Sequence, residues 1–237
     1  MDPISSGSAP DIGATSVVAS LRQLIIEGRY AAGSRLAEIP VAEALGVSRT
    51  PVRLAFRTLA QEGLLEPAGK RGFVVRAFSE GDVLCGIEVR GVLEGLAARR
   101  LAERGLDAAT RAVLDQCLLD GDAVLAAGTL GEAEIARWAA LNERFHGAIV
   151  HATDSRVIAD AIARNNHLPF ASADSITIDR AALPQEFEKI RLAQMHHRLI
   201  VDALAHGESA RAEMLMREHA YVGLRYAPLL GPAAPAG

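Results

Sequence analysis

Three stretches of the chain each place a histidine on an otherwise apolar helical face. Asn142 and His146 lie four residues apart in WAALNERFHGAIV, so they share one face of a helix. His197 and His219 each interrupt a further apolar stripe. The residues that share these two later faces are Ile190, Gln194, Val201 and Leu204 with His197, and Ala212, Leu215 and Val222 with His219.

A shared metal ion is one chemistry that these side chains could support. A lone buried histidine is more often a hydrogen-bonded core residue, but each of three needs its own partner. An unpaired buried polar group costs about 1–3 kcal/mol, and one metal ion would satisfy all three at once. Neutral imidazoles suit transition metals such as zinc and nickel. We therefore predict a divalent transition metal, of the zinc or nickel class or else copper or iron, held by His146, His197 and His219.

A second polar pair, Arg90 and Glu94, interrupts the apolar stripe of another predicted helix. The pair could be an internal ion pair that braces the bundle. Alternatively, the guanidinium could bind the carboxylate of an effector through two hydrogen bonds. Further along, Pro169 should end a helix, so that His167 and Phe170 line either a pocket mouth or a packed helix terminus. The predicted effector-binding residues are Arg90, Glu94, His167, Phe170 and Gln194.

The composition indicates a helical globular protein. Of the 237 residues, 50% are hydrophobic and 23% are charged, so the chain can bury a core. The two cysteines, Cys85 and Cys117, lack the spacing of metal ligands. The N-terminus lacks the apolar segment of a signal peptide, and no apolar run is long enough to span a membrane. We expect a cytoplasmic protein that does not act at a membrane.

The elements that must position these residues form an all-α antiparallel bundle, predicted over 79–228. Helical periodicity dominates this part of the chain. Three of the helices should end at glycines, namely Gly105, Gly128 and Gly207. The candidate helices cover residues 80–105, 108–128, 132–153, 155–166, 184–207 and 209–227. A tail over 229–237 is predicted to be disordered.

The preceding residues, 15–78, predict a winged helix-turn-helix domain after a disordered segment over 1–14. One short helix should end at Gly46, and Ser48 should cap the next helix, which runs to Gly63. Two short strands, LLEP and FVVRAF, then form a β-hairpin wing. The whole chain is therefore predicted to be mainly α, with the wing as its small β element.

Charge distribution indicates a nucleic-acid partner for this first domain. The chain carries a net charge of −4, yet residues 1–78 hold nine Lys/Arg against seven Asp/Glu. Arg49, Thr50, Arg53 and Arg57 fall near one helix face, which could enter a major groove and read bases. Arginines on a helix face could also merely solvate it. The predicted DNA-contacting residues are Ser48, Arg49, Thr50, Arg53 and Arg57 on the helix, and Lys70, Arg71 and Gly72 in the wing.

The stretch EALGVSRTPVRLAFRTLAQEGLLEPAGKRGFVV resembles the DNA-binding domain of the GntR family of bacterial transcription regulators. The resemblance implies DNA contacts at Ser48, Arg49, Thr50, Arg53 and Gly72. The family commonly has Glu-Ala-Leu after the second arginine, where this chain has Leu54-Ala55-Phe56. This departure removes any salt bridge from a glutamate at that position.

The later part of the chain resembles the FCD ligand-binding domain of the FadR-type branch of that family. The family's Asp/Asn-x3-His pair matches Asn142 and His146, and its two later histidines match His197 in HHRLIVDAL and His219 in REHAYV. By this alignment His196 is a solvated or neighbouring residue. An amide at position 142, where many members have Asp, brings no charge and implies weaker metal binding, and an effector site without metal stays open.

Within this branch, EVRGVLEGLAARRLAERG together with NNHLPFASAD is similar to vanillate-responsive repressors. The resemblance implies a homodimeric repressor whose affinity for double-stranded operator DNA is controlled by a small organic acid, such as vanillate. The rival hypothesis is a metal-dependent enzyme acting on such an acid, which needs a general base. Glu143 points roughly 100° away from Asn142 on a helix, which leaves Glu94 as the candidate base. A structural DNA-binding protein would not explain the inward histidines.

Overall fold

The computed structural model describes residues 14–26, 28–69, 72–166, 168 and 182–222. The chain divides into two compact units, Met1–Glu80 and Gly81–Gly237. The predicted disordered segments lie outside the described residues, except that the first helix already begins at Ala14. In the part of the chain that the structure describes, no helix combines the length and the apolar character needed to span a bilayer.

The first unit contains three helices and a three-stranded antiparallel sheet. In chain order these are α1 (Ala14–Ile26), β1 (Arg35–Leu36), α2 (Glu38–Leu45), α3 (Arg49–Gln61), β2 (Leu65–Pro67) and β3 (Phe73–Val75). The strand order is β1-β3-β2, with Glu66 opposite Val74. This confirms the predicted helix-turn-helix and wing, and it adds β1 as a third strand beside β3.

The turn between α2 and α3 follows the predicted chemistry with one exception. Gly46 adopts a left-handed conformation, with φ 66°, and its N–H group donates to the last carbonyls of α2. Ser48 occupies the residue before α3 in an extended conformation, but its hydroxyl makes no capping hydrogen bond, so the prediction of a serine side-chain cap was wrong. The apolar face of α3, including Val52, Phe56 and Leu59, is fully buried and holds the helix in place.

The second unit is all-α in its described residues. Its helices are α4 (Glu80–Arg104), α5 (Ala108–Ala126), α6 (Glu132–Ala152), α7 (Arg156–Asn166), α8 (Leu183–Ala205) and α9 (Ser209–His219). These match the candidate helices closely except at the end of α9, which was expected to continue to residue 227. Residues 223–227 lie outside the described range.

Two glycines let α9 lie against α4. A Cβ atom at Gly91 would stand 3.0 Å from the Ala220 Cβ and 3.2 Å from the Arg217 carbonyl oxygen. A Cβ atom at Gly95 would stand 2.6 Å from the Arg217 Cγ. Larger residues at these positions would separate the two helices, and α9 carries His219.

Candidate functional site

Three buried histidines from three helices converge in the second unit. His146 lies on α6, His197 on α8 and His219 on α9. The Nε2 atom of His219 is 3.2 Å from the Nε2 atom of His146 and 3.2 Å from that of His197. One nitrogen from each ring lies within 4.8 Å of the other two. The structure thus brings together three of the four residues predicted as metal ligands.

Burial keeps two of these imidazoles neutral. Desolvation lowers the pKa of His197 well below its ordinary value, and the charges of His146 and His196 lower it further. The pKa of His219 is also lowered well below the ordinary value, first by burial and then by the surrounding histidines and Arg90. Neutral imidazole is the form in which histidine binds a metal ion.

The hydrogen-bonding pattern of the cluster suits a cation. Among the described residues, the Nδ1 atoms of His197 and His219 have no hydrogen-bond partner, and their Nε2 atoms face each other. A neutral imidazole carries one N–H group, so these rings cannot satisfy all their nitrogens with each other. Ligand nitrogens on a zinc ion at about 2.0–2.1 Å would lie roughly 3.0–3.4 Å apart, close to the two separations of 3.2 Å that His219 makes with His146 and His197. The residues present therefore fit a transition-metal ion.

Glu94 orients one of the three rings. Its Oε2 atom lies 2.9 Å from the His146 Nδ1, although the angle between them departs from that of a hydrogen bond. Burial raises the pKa of Glu94, but the charges of the nearby His146 and Arg90 outweigh it and lower the pKa. A carboxylate at Nδ1 favours the tautomer with its proton there, which leaves the Nε2 lone pair facing the cluster. The sequence predicted the pairing of Glu94 with Arg90, whose Nε is 3.9 Å away, but not its contact with His146.

Aromatic rings fix the position of His197. The ring of Phe145 stacks on it at a centroid distance of 3.9 Å and an interplanar angle of 22°. Trp138 also stacks on it, at 5.5 Å and 11°. Since Phe145 and Trp138 lie on α6 with His146, this helix both supplies one histidine and packs against a second.

Two neighbouring polar residues differ in their relation to the cluster. Asn142 is buried one helical turn from His146, as its spacing predicted, and its role as a fourth ligand stays a prediction. His196 is half-buried, with its ring centroid 5.8 Å from that of His219. Its pKa is lowered by burial, against the opposing charge of Glu218.

A cavity of about 390 Å³ between α6 and α7 reaches His146 and Glu94. Its other lining residues are Glu143, Gly147, Val150, His151, Ala159, Ile162, Ala163 and Asn166. Glu143, which was expected to point roughly 100° away from Asn142, lines this cavity beside His146, because residues three apart on a helix are neighbours. Most of this lining comes from residues that sequence reasoning did not select, because their types are ordinary for a helix surface.

Of the predicted effector-binding residues, only Glu94 is among the described residues that line this cavity. Arg90 is buried beside Glu94 but does not line this cavity. The Gln194 amide donates to the Leu118 carbonyl at 2.8 Å and to the Asp122 Oδ1 at 3.0 Å, which ties α8 to α5. His167 and Phe170 lie outside the described residues. Effector contacts by these four residues stay predictions.

The first unit presents an exposed polar face on α3. Arg49, Thr50, Arg53 and Arg57 are all exposed on it, and Ser48 directly precedes it. Leu54, where the family commonly has Glu, is 53% exposed on the same helix, whereas Ala55 and Phe56 are buried. The exposed face of α3 therefore includes the four residues of this helix that were predicted to contact DNA, together with Leu54.

Two of these arginines are held by a carboxylate that sequence reasoning missed. Glu38 Oε1 accepts a hydrogen bond from the Arg53 Nε at 2.7 Å, and its Oε2 accepts from the Arg53 Nη2 at 2.9 Å and the Arg49 Nη2 at 3.1 Å. The Arg53 hydrogen bonds lower the pKa of Glu38 to about 2, with a smaller contribution from Arg49 and partial opposition from desolvation.

The wing is described only in part. Lys70 and Arg71 at its tip lie outside the described residues. Gly72 has φ 110°, and a Cβ atom there would stand 3.2 Å from the Leu36 carbonyl oxygen. This backbone conformation and the close approach to β1 both favour glycine, so Gly72 has a structural role in the wing besides any contact with DNA.

Comparison with known proteins identifies both units. The family model described as bacterial regulatory proteins, gntR family, matches residues 14–75. The model of the FCD domain matches residues 86–221. Among solved structures, Escherichia coli McbR/YncC shares the fold with a TM-score of 0.63 and 21% identity, covering 92% of this chain and 97% of that one. A GntR regulator from Rhodococcus sp. RHA1 gives a TM-score of 0.57 at 24% identity, covering 93% of this chain and 99% of that one.

Curated relatives agree with this assignment. A protein of Paenarthrobacter nicotinovorans named as a probable D-xylose utilization operon transcriptional repressor is 31% identical over 214 residues, which cover 86% of this chain and 86% of that protein. An Agrobacterium vitis helix-turn-helix regulator from the TAR-I ttuE-ttuC′ intergenic region is 37% identical over 131 residues, 55% of this chain and 75% of that protein. These families and relatives are transcription regulators, not enzymes. The chain therefore belongs to the GntR family of bacterial transcription regulators, in the branch that carries an FCD domain.

Proposed function

We propose that this regulator binds operator DNA through the exposed face of α3, and that a small carboxylate bound in the α6–α7 cavity weakens operator binding. The observation that carries the proposal is the cavity of about 390 Å³ whose lining includes both His146 and Glu94. It is large enough for a small aromatic acid, since ligand pockets usually measure about 300–1,000 Å³. A ligand there would contact the histidine cluster directly.

For the DNA-binding step, Arg49, Arg53 and Arg57 supply cationic groups on the exposed face of α3. The N-terminal residues of such a helix contact base edges in the major groove, and arginine favours guanine. Lys70 and Arg71 of the wing would contact phosphates. We propose a homodimer that binds a palindromic operator with one half-site for each subunit, and that represses transcription when bound.

For the effector-binding step, Asn142, His146, His197 and His219 would hold one divalent metal ion of the zinc or nickel class. When bound, the ion would supply positive charge and open coordination positions for a carboxylate. Glu94 positions the His146 ring through its contact with Nδ1. Phe145 and Trp138 position the His197 ring by stacking on it. Two of the metal-binding imidazoles are therefore in place before an effector binds.

Charge explains why a carboxylate effector should depend on that ion. Glu94 and Glu143 both line the cavity, so without a cation the lining would repel an anionic ligand. Arg90 offsets Glu94, at 3.9 Å, but does not itself line the cavity. We take vanillate as the first candidate effector because of the sequence resemblance, and D-xylose as the comparison because one relative is named for its utilization.

The DNA-binding half of the proposal is tested by selecting bound sequences from random duplexes. Wild-type protein should enrich a palindrome, and Arg49→Ala with Arg53→Ala should abolish that enrichment. Arg111→Ala, which removes an exposed arginine from α5 in the other unit, is the matched control and should select the same sequence. Unchanged selection by the double variant would refute the role of α3.

The effector half is tested by thermal unfolding and operator binding with vanillate, other small carboxylates and D-xylose. A ligand of the native state raises the melting temperature according to its affinity and concentration. A carboxylate should raise it and release the operator only when the metal has not been removed by a chelator. Stabilisation that survives both chelation and His146→Ala would show that the effector binds without the metal.

A further inference from the structure

Glu38 places a carboxylate against two exposed arginines of α3, Arg49 and Arg53. It is the first residue of α2, and its side chain is 25% exposed. Its two carboxylate oxygens accept hydrogen bonds from Arg53 Nε and Nη2 and from Arg49 Nη2. An acidic group on a surface that faces a polyanion lowers affinity for it, so this placement calls for a function.

The hydrogen bonds to Glu38 determine which edge of the Arg53 guanidinium is left to bind a base. A guanidinium has five N–H groups, and Glu38 engages one on Nε and one on Nη2 along the side edge. The terminal edge, formed by Nη1 and the second N–H of Nη2, is not used in these two hydrogen bonds. Two parallel N–H groups on that edge match the O6 and N7 acceptors that guanine presents in the major groove.

We propose that Glu38 is a positioning residue for base recognition: it holds Arg53 by the side edge so that the terminal edge reads one guanine in each operator half-site. The proposal rests on the proposed DNA-binding function. Arg49 donates to the same carboxylate through Nη2 alone, which leaves its Nε and Nη1 outside this contact. Arg53 is therefore the more constrained of the two arginines and the one to which we assign the guanine.

A carboxylate in this place should lower the affinity for DNA of any sequence and raise the selectivity for the operator. A long arginine side chain loses rotamer entropy when it becomes fixed on a base, and a partner that fixes it beforehand reduces that loss. The same negative charge repels phosphates and so weakens binding to any unrelated sequence. Removing Glu38 should therefore strengthen binding to random DNA while it weakens discrimination at one base pair.

The test uses the full-length protein and the operator that wild-type protein selects. Each guanine of a half-site is replaced in turn by 7-deazaguanine, which lacks the N7 acceptor, and affinities are measured by fluorescence anisotropy. At one guanine, wild-type protein should lose about tenfold in affinity, and Arg53→Ala should lose nothing further. Glu38→Ala should lose only about threefold at that guanine, and its affinity for random DNA should rise.

The matched control is Glu43→Ala, which removes an exposed carboxylate from the same helix α2. It reproduces the change in net charge, so it should raise affinity for random DNA slightly while keeping the full tenfold penalty at the same guanine. If the Glu38 contact only braced α2 against α3, Glu38→Ala would lower the melting temperature and weaken all duplexes alike.

Three results would overturn the proposal. The first is a full tenfold penalty at that guanine in Glu38→Ala, and the second is equal weakening of all duplexes by Glu38→Ala. The third is a wild-type operator in which no guanine is sensitive to loss of N7. Failure of wild-type protein to select any sequence would refute the DNA-binding function itself, together with this role of Glu38.

Discussion

His146 Nδ1 lies 2.9 Å from Glu94 Oε2, while Nε2 of the same imidazole faces His219 at 3.2 Å. One ring thus connects a buried carboxylate on α4 to the cluster of histidines from α6, α8 and α9. This arrangement is the carboxylate–histidine pair that commonly orients metal-binding imidazoles. It would give Glu94 a function in the proposed metal site that its pairing with Arg90 alone would not require.

Glu94→Gln should weaken binding of zinc or nickel by roughly 10–100-fold, the usual effect of removing a carboxylate that orients a ligand histidine. The measurement is competition with a chelator of known affinity. Glu88→Gln, at an exposed position on the same helix, is the control and should bind as wild type does. Equal affinities for Glu94→Gln and wild type would show that His146 needs no such partner.

Metal binding should change the fluorescence of Trp138, which is the single tryptophan of the chain and stacks on His197 at 5.5 Å. Titration of metal-free protein with Ni²⁺ should quench the emission with a saturable curve. His197→Gln should lose the response, whereas His206→Gln, at an exposed histidine at the end of α8, should retain it. A response that persists without His197 would place the ion elsewhere.

Gly91→Val should destabilise the second unit and weaken metal binding together. The new side chain would meet Ala220 Cβ and the Arg217 carbonyl oxygen, and overpacking of this kind costs about 1–3 kcal/mol. Displacement of α9 would also move His219. Urea unfolding measures the first effect and chelator competition the second.

The glycine control is Gly147→Ala in α6, where an added Cβ meets only the His151 side chain at 3.8 Å. Replacing a helical glycine without a clash should leave stability unchanged or raise it by about 0.5–1 kcal/mol. The explanation by helix contact would fail if Gly91→Val were as stable as wild type.

The Glu38 carboxylate should stay ionised at pH 4, since Arg53 lowers its pKa from the ordinary 4.5 to about 2. A lowered pKa means that the contact contributes to stability above about pH 4.5 and loses that contribution as the pH falls towards 2. Carboxyl carbon NMR shifts followed from pH 7 down to about pH 2 measure the titration. In Arg53→Ala the midpoint should move upward, and an unchanged midpoint would exclude Arg53 as the cause.

Local sequence signals predicted the elements of both units well. Gly46 ends α2 because it adopts a left-handed conformation, and the apolar face of α3 follows from the spacing of Val52, Phe56 and Leu59. The two-residue strand β1 was not among the predicted strands, because it forms through pairing with β3 rather than through its own residue pattern. The serine cap failed because a residue can occupy the capping position while its hydroxyl oxygen accepts no hydrogen bond from the first turn of the helix.

The site was predictable only where helix spacing determines it. Asn142 and His146 share a helix face because they are four residues apart. The inward direction of His197 and His219 follows from the apolar residues that share their helix faces. The contacts Glu94–His146 and Glu38–Arg53 join different helices, so they depend on how those helices pack. The spacing of residues within one helix does not show how that helix packs against another. The lining of the cavity, which comes from several helices, was missed for this reason.

The central claim is that His146, His197 and His219 together hold one metal ion. The most direct test is to load purified protein with Ni²⁺ or Zn²⁺, remove free metal by dialysis and measure retained metal by mass spectrometry. We expect one ion per chain in wild type and in His206→Ala, and little or none in His219→Ala. A wild-type protein that retains no metal, or a His219→Ala variant that retains as much, would contradict it.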